Sequence, residues 1–244
     1  LRWFFDHEAR VETPRPAATK FGSVVHAVAD FVAKGEVPAD IDSMDALVDR
    51  VWKDLRFEST WQSVAERAQA RDALSRFLVY HLRADRKLVA SEESEAAVVD
   101  VPTPAGSTER VNLRGSLDRI ESDSEGRLVA IDLKNMKTPT LESKLPEHAQ
   151  LGVYQLLLRA AGHEVGGAAL VQLRVNASKG ALEPKVQFQA PLEQGSPTWV
   201  DLELGAAAQT LRDEKFDAVL GTHCNFCAHK SNCPAQPEGE QVVS

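Results

Sequence analysis

Two β-rich stretches, residues 110–121 and 127–134, are separated only by Ser122, Asp123, Ser124, Glu125 and Gly126. A polar connection this short, ending in glycine, directs the chain into an antiparallel hairpin. Side chains alternate along a strand, so Asp132 and Lys134 share one face while Val129, Ile131 and Leu133 share the other, which is expected to turn inward. With the turn centred near Ser124 or Glu125, Asp118 falls opposite Ala130 or Asp132, on the polar face. Two carboxylates and a lysine therefore converge. Hard divalent cations take carboxylate oxygens and activate water against a phosphodiester, and a lysine there orients the nucleophile or offsets developing charge. An isolated Asp-x-Lys is more often a solvated strand face with a salt bridge, and the hairpin alone favours that plainer use.

Around the hairpin the hydrophobic period changes. Phe21, Val25, Val28, Ala29 and Val32 recur at helical spacing, which predicts a buried helix over residues 20–34 that carries His26 and stops at Gly35. Residues 43–55, capped by Ser43, and residues 61–86 read as two more helices, so the first third of the chain is helical. Residues 88–101 form a strand preceding the hairpin and carry Glu92, Glu93 and Glu95, candidates for an outer acidic contact among which none is singled out. Beyond Pro139, helical spacing resumes over residues 148–161. Strands over 168–175 and 185–189 and a helix over 198–211 follow, before a cysteine-rich tail. The expected class is α/β: a central mixed sheet containing the acidic hairpin, flanked by helices.

With 43% hydrophobic and 26% charged residues and no apolar run of membrane-spanning length, a soluble protein with no membrane partner is expected. No secretory leader pattern is seen, and the odd number of bunched cysteines does not make a disulfide framework, so a reducing cytoplasm is the expected location. The net charge of −8 argues against nucleic-acid binding by bulk electrostatics, unless metal ions neutralise an acidic site and a partner delivers the strand. The chain of 244 residues reads as a single domain, and its start at Leu1, already helix-like through Trp3, Phe4 and Phe5, is expected to be a cut from something longer.

The three cysteines lie together as Cys224, Cys227 and Cys233. Thiolates this close suit zinc or an iron-sulfur cluster, either of which wants about four protein ligands in a structural site. Zinc could recruit His223 or His229. A cluster would need a fourth cysteine, and this sequence contains none.

Four motifs occur in order: Gly22 to His26 as G-x-x-x-H, Gly115 to Arg119 as G-x-x-D-R, Ile131 to Lys134 as a hydrophobic-D-x-K strand, and Gln150 to Tyr154 as Q-L-x-x-Y. This set resembles the RecB-family nucleases of the PD-(D/E)XK class across nearly the whole chain, and implies their restriction-endonuclease-like core. By that resemblance His26, Asp118, Asp132 and the main-chain carbonyl of Leu133 ligate Mg²⁺ or Mn²⁺, and Lys134 serves the attacking water. Gln150 and Tyr154, one helical turn apart, would face the site from the next helix. One departure is Asn135-Met136 after Lys134, where the family usually has Thr-Gly; neither position belongs to the metal set. The run from Glu147 to Gln155 looks like that of the C-terminal nuclease domain of AdnB-like helicase-nucleases. In iron-sulfur members of the family a cysteine precedes a stretch similar to the opening Leu1-Arg2-Trp3-Phe4, which implies a [4Fe-4S] cluster on Cys224, Cys227 and Cys233 with its fourth cysteine just before Leu1.

The resemblance implies a metal-dependent nuclease acting on single-stranded DNA ends in double-strand break resection and recombinational repair, fed by a helicase motor or partner subunit. Two other classes stand beside it: a catalytically idle nuclease-like scaffold with an iron-sulfur clamp in a repair complex, and a zinc-bearing interaction domain.

Overall fold

The computed structural model describes residues 1–10, 17–55, 57, 59–83 and 85–240. Three helices come first: α1 (Ala17–Ala33), α2 (Ile41–Trp52) and α3 (Thr60–His81). The strands β1 (Lys87–Pro102), β2 (Thr108–Ser122) and β3 (Leu128–Lys134) follow, then α4 (Ala149–Ala160), β4 (Val165–Asn176), β5 (Pro184–Gln189) and α5 (Trp199–Arg212). The sheet order is β1-β2-β3-β4-β5. All neighbours run antiparallel except β3 and β4, a parallel pair joined across α4. No helix among the described residues is long and apolar enough to cross a membrane.

The β2–β3 hairpin forms as the turn chemistry predicts. Asp123 Oδ1 accepts from the N–H groups of Glu125 and Arg127, and Gly126 takes the left-handed conformation at φ 81°. Two expectations shift at helix ends. The cap of α2 is Asp40, not Ser43: the Asp40 carboxylate in extended backbone accepts from both the N–H and the hydroxyl of Ser43 at 2.8 Å, so the helix begins at Ile41 and ends at Trp52 instead of residue 55. The third helix ends at His81 rather than near residue 86, before the strand that starts at Lys87.

A larger correction concerns the hairpin's faces. Val129, Ile131 and Leu133 do turn inward, against Val25 and Val28 of α1 and Leu74 and Phe77 of α3. The other face is covered too: Ala130, Ala168 and Leu170 pack with Leu151, Leu157 and Leu158 of α4. A parallel strand pair with a helical crossover is normally buried on both sides, and that puts Asp132 inside the protein instead of on a solvated face. Two glycines let α4 close down. A side chain at Gly115 on β2 would meet Leu157 at 2.9 Å, and one at Gly152 on α4 would meet Trp199 of α5 at 2.6 Å.

Buried polar groups tie the layers together. Gln189 on β5 donates to the Leu145 carbonyl at 2.9 Å and accepts from Gln155 of α4 at 2.9 Å. Its neighbour on the same strand face, Gln187, donates to the Thr140 carbonyl at 2.7 Å, so β5 fixes both ends of the segment leading into α4. The chain ends also meet. Trp3 stacks on Phe216, Phe5 lies against His229, and Asp6 accepts from or pairs with His229 Nε2 at 2.7 Å.

Arg119 and Glu121, 4% and 3% exposed, form an ion pair beneath α3, where the Tyr80 hydroxyl donates to Glu121 at 2.9 Å. Removing one member of a buried pair leaves an uncompensated charge at a cost of about 3–5 kcal/mol. Glu121→Ala is therefore expected to lower Tm by on the order of 10 °C. A melt shifted by under about 2 °C would mean that water reaches Arg119 there.

Candidate active site

The β2–β3 pairing ends at Arg119↔Ile131, so Asp118 and Asp132 are the next residues on the two strands. Asp118 Oδ2 accepts the Leu133 N–H at 2.7 Å, which fixes the Leu133 backbone beside the Asp118 carboxylate. From α1, His26 brings Nδ1 to 3.5 Å from Asp118 Oδ1. Asp132 Oδ1 accepts from Gln150 Nε2 at 2.7 Å, and Asp132 Oδ2 pairs with Lys134 Nζ at 2.8 Å. Gln150 Oε1 accepts from the same Lys134 ammonium at 2.9 Å, and Gln150 Nε2 also lies 2.8 Å from the Tyr154 hydroxyl. The structure thus brings His26, Asp118, Asp132, Leu133, Lys134, Gln150 and Tyr154 into one neighbourhood, with Gln150 bridging the acid and the base of the Asp-x-Lys pair.

Glu92 joins them, and the sequence alone did not choose it over Glu93 or Glu95. One ligand atom each from His26, Glu92 and Asp118 lie within 4.8 Å of one another. The register explains why: Ser91 pairs Arg119 and Glu93 pairs Leu117, so Glu92 faces Asp118. A usable signal lay in Pro104-Ala105-Gly106, since a turn centred on Ala105 pairs Pro102 with Thr108 and, counting down the ribbon, Glu92 with Asp118. Glu92 also has φ 48°, an uncommon conformation for a non-glycine residue.

Electrostatics follow from burial. Asp132, 2% exposed, has its pKa pushed up to about 6, by burial first and then by the Asp118 charge, against the pull of Lys134. Burial works against the charged form of His26, yet Asp118, Glu92 and Asp132 outweigh it and raise the imidazole pKa. Burial and Asp118 likewise raise the Glu92 carboxyl. Burial raises Tyr154 to about 12, so its phenol stays protonated. Carboxylates gathered with an imidazole give oxygen and nitrogen donors that Mg²⁺ or Mn²⁺ accept, and a cation there offsets the repulsion between Asp118 and its acidic neighbours Asp132 and Glu92.

At the far end of the chain Cys224, Cys227 and Cys233 line a cavity of about 280 Å³ shared with Leu1, Trp3 and His229. Their thiols are free of disulfide bonds. His223 Nε2 is engaged by the Val219 carbonyl and His229 Nε2 by Asp6.

The sequence model of the PD-(D/E)XK nuclease superfamily matches residues 1–234 of the chain. No match is found among the curated proteins. The chain is similar to a solved structure titled "Crystal structure of SSO0001" with 12% identity and a TM-score of 0.39, over 88% of this chain and 85% of that one.

A group whose pKa is higher in the folded state than in the unfolded chain stabilises the fold at low pH, and that contribution is lost as pH rises through the folded value. Asp132 and His26 both belong to this kind, whereas Asp40 and Asp123, held below the usual carboxylate range, are already ionised above about pH 5. In EDTA the Tm is therefore expected to fall by a few degrees between about pH 5 and 7.5, Asp132 contributing about 1–2 kcal/mol over that interval after losing a similar amount between about pH 4 and 5. Excess Mg²⁺ should flatten the profile. A metal-free Tm that rises over the interval would show Asp132 to be solvated.

Proposed function

The chain belongs to the PD-(D/E)XK nuclease superfamily, whose members are generally metal-dependent nucleases, and from that premise we propose that it is a RecB-type nuclease domain that hydrolyses single-stranded DNA ends. The observation carrying this reading is the contact network of 2.7–3.5 Å that joins His26 of α1, Asp118 of β2, Asp132 and Lys134 of β3, and Gln150 of α4. An idle scaffold has no physical use for a buried carboxylate, Asp132, whose pKa burial and the neighbouring Asp118 charge raise.

His26, Asp118, Asp132 and the Leu133 carbonyl would hold the divalent cation, which supplies water activation and charge neutralisation at a phosphodiester. Lys134 is restrained by Asp132 and Gln150 together, so its ammonium stands in one position, able to orient an attacking water and to balance the charge that builds on the phosphorus oxygens. Gln150 takes its own orientation from Tyr154. In-line attack by water needs no covalent intermediate, and no nucleophilic side chain is required.

The finer assignment rests on the ordered motifs ending at Gln150 and Tyr154 and on the AdnB-like run from Glu147 to Gln155. We read the chain as one nuclease domain of a longer helicase-nuclease that resects double-strand breaks, with a motor domain or partner subunit feeding the strand. Such feeding suits a module of net charge −8. We assign a [4Fe-4S] cluster to Cys224, Cys227 and Cys233. Support comes from Leu1, whose amino group lies 3.2 Å from the Asp217 carbonyl and which lines the cysteine cavity, so a cysteine preceding it would open on the same space.

With end-labelled single-stranded DNA and Mg²⁺ or Mn²⁺, the chain extended at its N-terminus and purified without oxygen is expected to cleave, and EDTA to stop it. Asp132→Ala should lower the rate by ~10³-fold or more while keeping the circular dichroism of the wild type. Gln150→Leu, which frees Lys134 and Asp132, should cost about 10–100-fold. Undiminished cleavage by Asp132→Ala would sink the site; no cleavage from folded, iron-loaded protein would favour the scaffold. Iron analysis is expected to find about four iron atoms per chain, lost in Cys227→Ser; zinc without iron would reverse the cluster assignment.

A further inference from the structure

The β1–β2 ribbon runs on well past the strand that supports it. Pairing with β3 stops at Arg119, yet β1 and β2 stay paired with each other out to Pro102 and Thr108. The two faces of this extension differ in kind. Leu113, Gly115 and Leu117 turn toward α4, with Gly115 under Leu157 and Tyr154. By alternation Ser116, Arg114 and Asn112 turn the other way, beside Ser94, Ala96 and Val98 of β1, and all six are exposed. This outer face begins at the acidic site, because Ser116 lines the same cleft of about 590 Å³ as His26, Glu92 and Asp118.

The charge on the outer face is unlike that of the chain as a whole, which carries 36 acidic and 28 basic residues. Outward of Glu92 the ribbon's glutamates fall on the inner face: Glu93 and Glu95 pair with Leu117 and Gly115, and Glu109 is buried against Arg212 of α5. The outer face keeps one carboxylate, Asp100, which Arg110 neutralises across the strands at 3.2 Å. Arg114 has no ion-pair or hydrogen-bond partner among the described residues. An unpaired guanidinium, between the Ser116 hydroxyl and the Asn112 amide, is thus left about 13 Å along the strand from Asp118. Val98, 59% exposed, and Ala96 give the same face apolar surface.

We propose that this outer face of the ribbon is the track on which single-stranded DNA approaches the acidic site, with Arg114 holding a backbone phosphate. This rests on the nuclease reading of the site and deepens it by naming where the substrate strand lies. Two features argue for that occupant. An anionic polymer matches a face cleared of free carboxylate, and the face is continuous with the cleft in which the phosphodiester is cut. Side chains two apart on a strand repeat at about 6.6 Å, close to the phosphate spacing of an extended single strand, so Ser116, Arg114 and Asn112 can meet successive phosphates. Contacts of this kind carry no sequence information, and sugars and bases have Ala96 and Val98 to lie against.

The test uses the iron-loaded chain extended at its N-terminus and a fluorescent oligothymidylate, with binding followed by anisotropy in Ca²⁺ and cleavage in Mg²⁺. Arg114→Ala is expected to weaken binding and raise KM by ~10-fold, with kcat within ~3-fold of wild type. Its plot of log affinity against log salt should be shallower by about 0.7, the share of one phosphate in a single strand. Arg114→Lys should recover most of the affinity, and Val98→Glu, which sets a carboxylate beside Asn112, should weaken binding by a similar factor. Lys179→Glu, in the connection between β4 and β5, should leave it unchanged. Wild-type affinity and salt slope in both Arg114→Ala and Val98→Glu, or an equal loss in Lys179→Glu, would overturn the proposal. Cleavage that still needs Asp132 in that case leaves the nuclease reading standing. Binding that depends on Arg114 without any cleavage keeps the track and removes the nuclease reading, and a chain that neither binds nor cuts the oligonucleotide removes both.

Discussion

A carboxylate held inside the protein is the condition around which this structure is arranged. Asp132 lies between the sheet and α4, and a bare charge there would be costly. Gln150 and Lys134 supply the hydrogen bond and the countercharge, and both depend on α4 lying close over β2 and β3. That closeness depends in turn on the missing side chain of Gly115, while Gly152 lets α5 close on the other side of α4. Beneath the sheet, Asp118 spends one oxygen on the backbone of Leu133, so the hairpin's own geometry holds the two acids in register. Local chain chemistry, packing and site electrostatics are one set of contacts here.

Residues far from the chemistry take part in the same arrangement. The strand β5 contributes nothing to the acidic cluster, yet Gln187 and Gln189 grip the carbonyls of Thr140 and Leu145 and steer the chain from Lys134 into α4. A buried amide that is fully engaged fixes a backbone more rigidly than apolar contact, because an unmet donor there is expensive. The angle at which Gln150 meets Lys134 is set by these glutamines as much as by its own helix.

Much of this could be read in the amino acids, and the limits have physical causes. The hairpin was legible because Asp123 and Gly126 are turn residues with a local mechanism, and its register followed from where they sit. The companions of Asp132 were legible only through the order of motifs, since a histidine 106 residues before it and a glutamine 18 after it share no periodicity with the strand. Whether the polar face of β3 was wet or dry was not legible, because that depends on β4 running parallel to β3 and bringing α4 across. Asp40 was missed as a cap because Ser43 is an equally good capping residue, and only backbone conformation decides between them. Glu92 was hidden among three glutamates whose roles differ only by strand pairing.

The parallel union of β3 and β4 also orders events in time. Antiparallel neighbours linked by a tight turn zip up in microseconds, whereas a parallel pair must wait for its crossover helix to be made and docked. On a growing chain the hairpin with both acids emerges well before α4, and α4 before the β5 glutamines that anchor its start. Until then Asp132 and Lys134 are solvated side chains on a ribbon, without the restraint that aligns them. The alignment of the acidic site therefore arrives with the last strand of the sheet, and a half-folded chain lacks it.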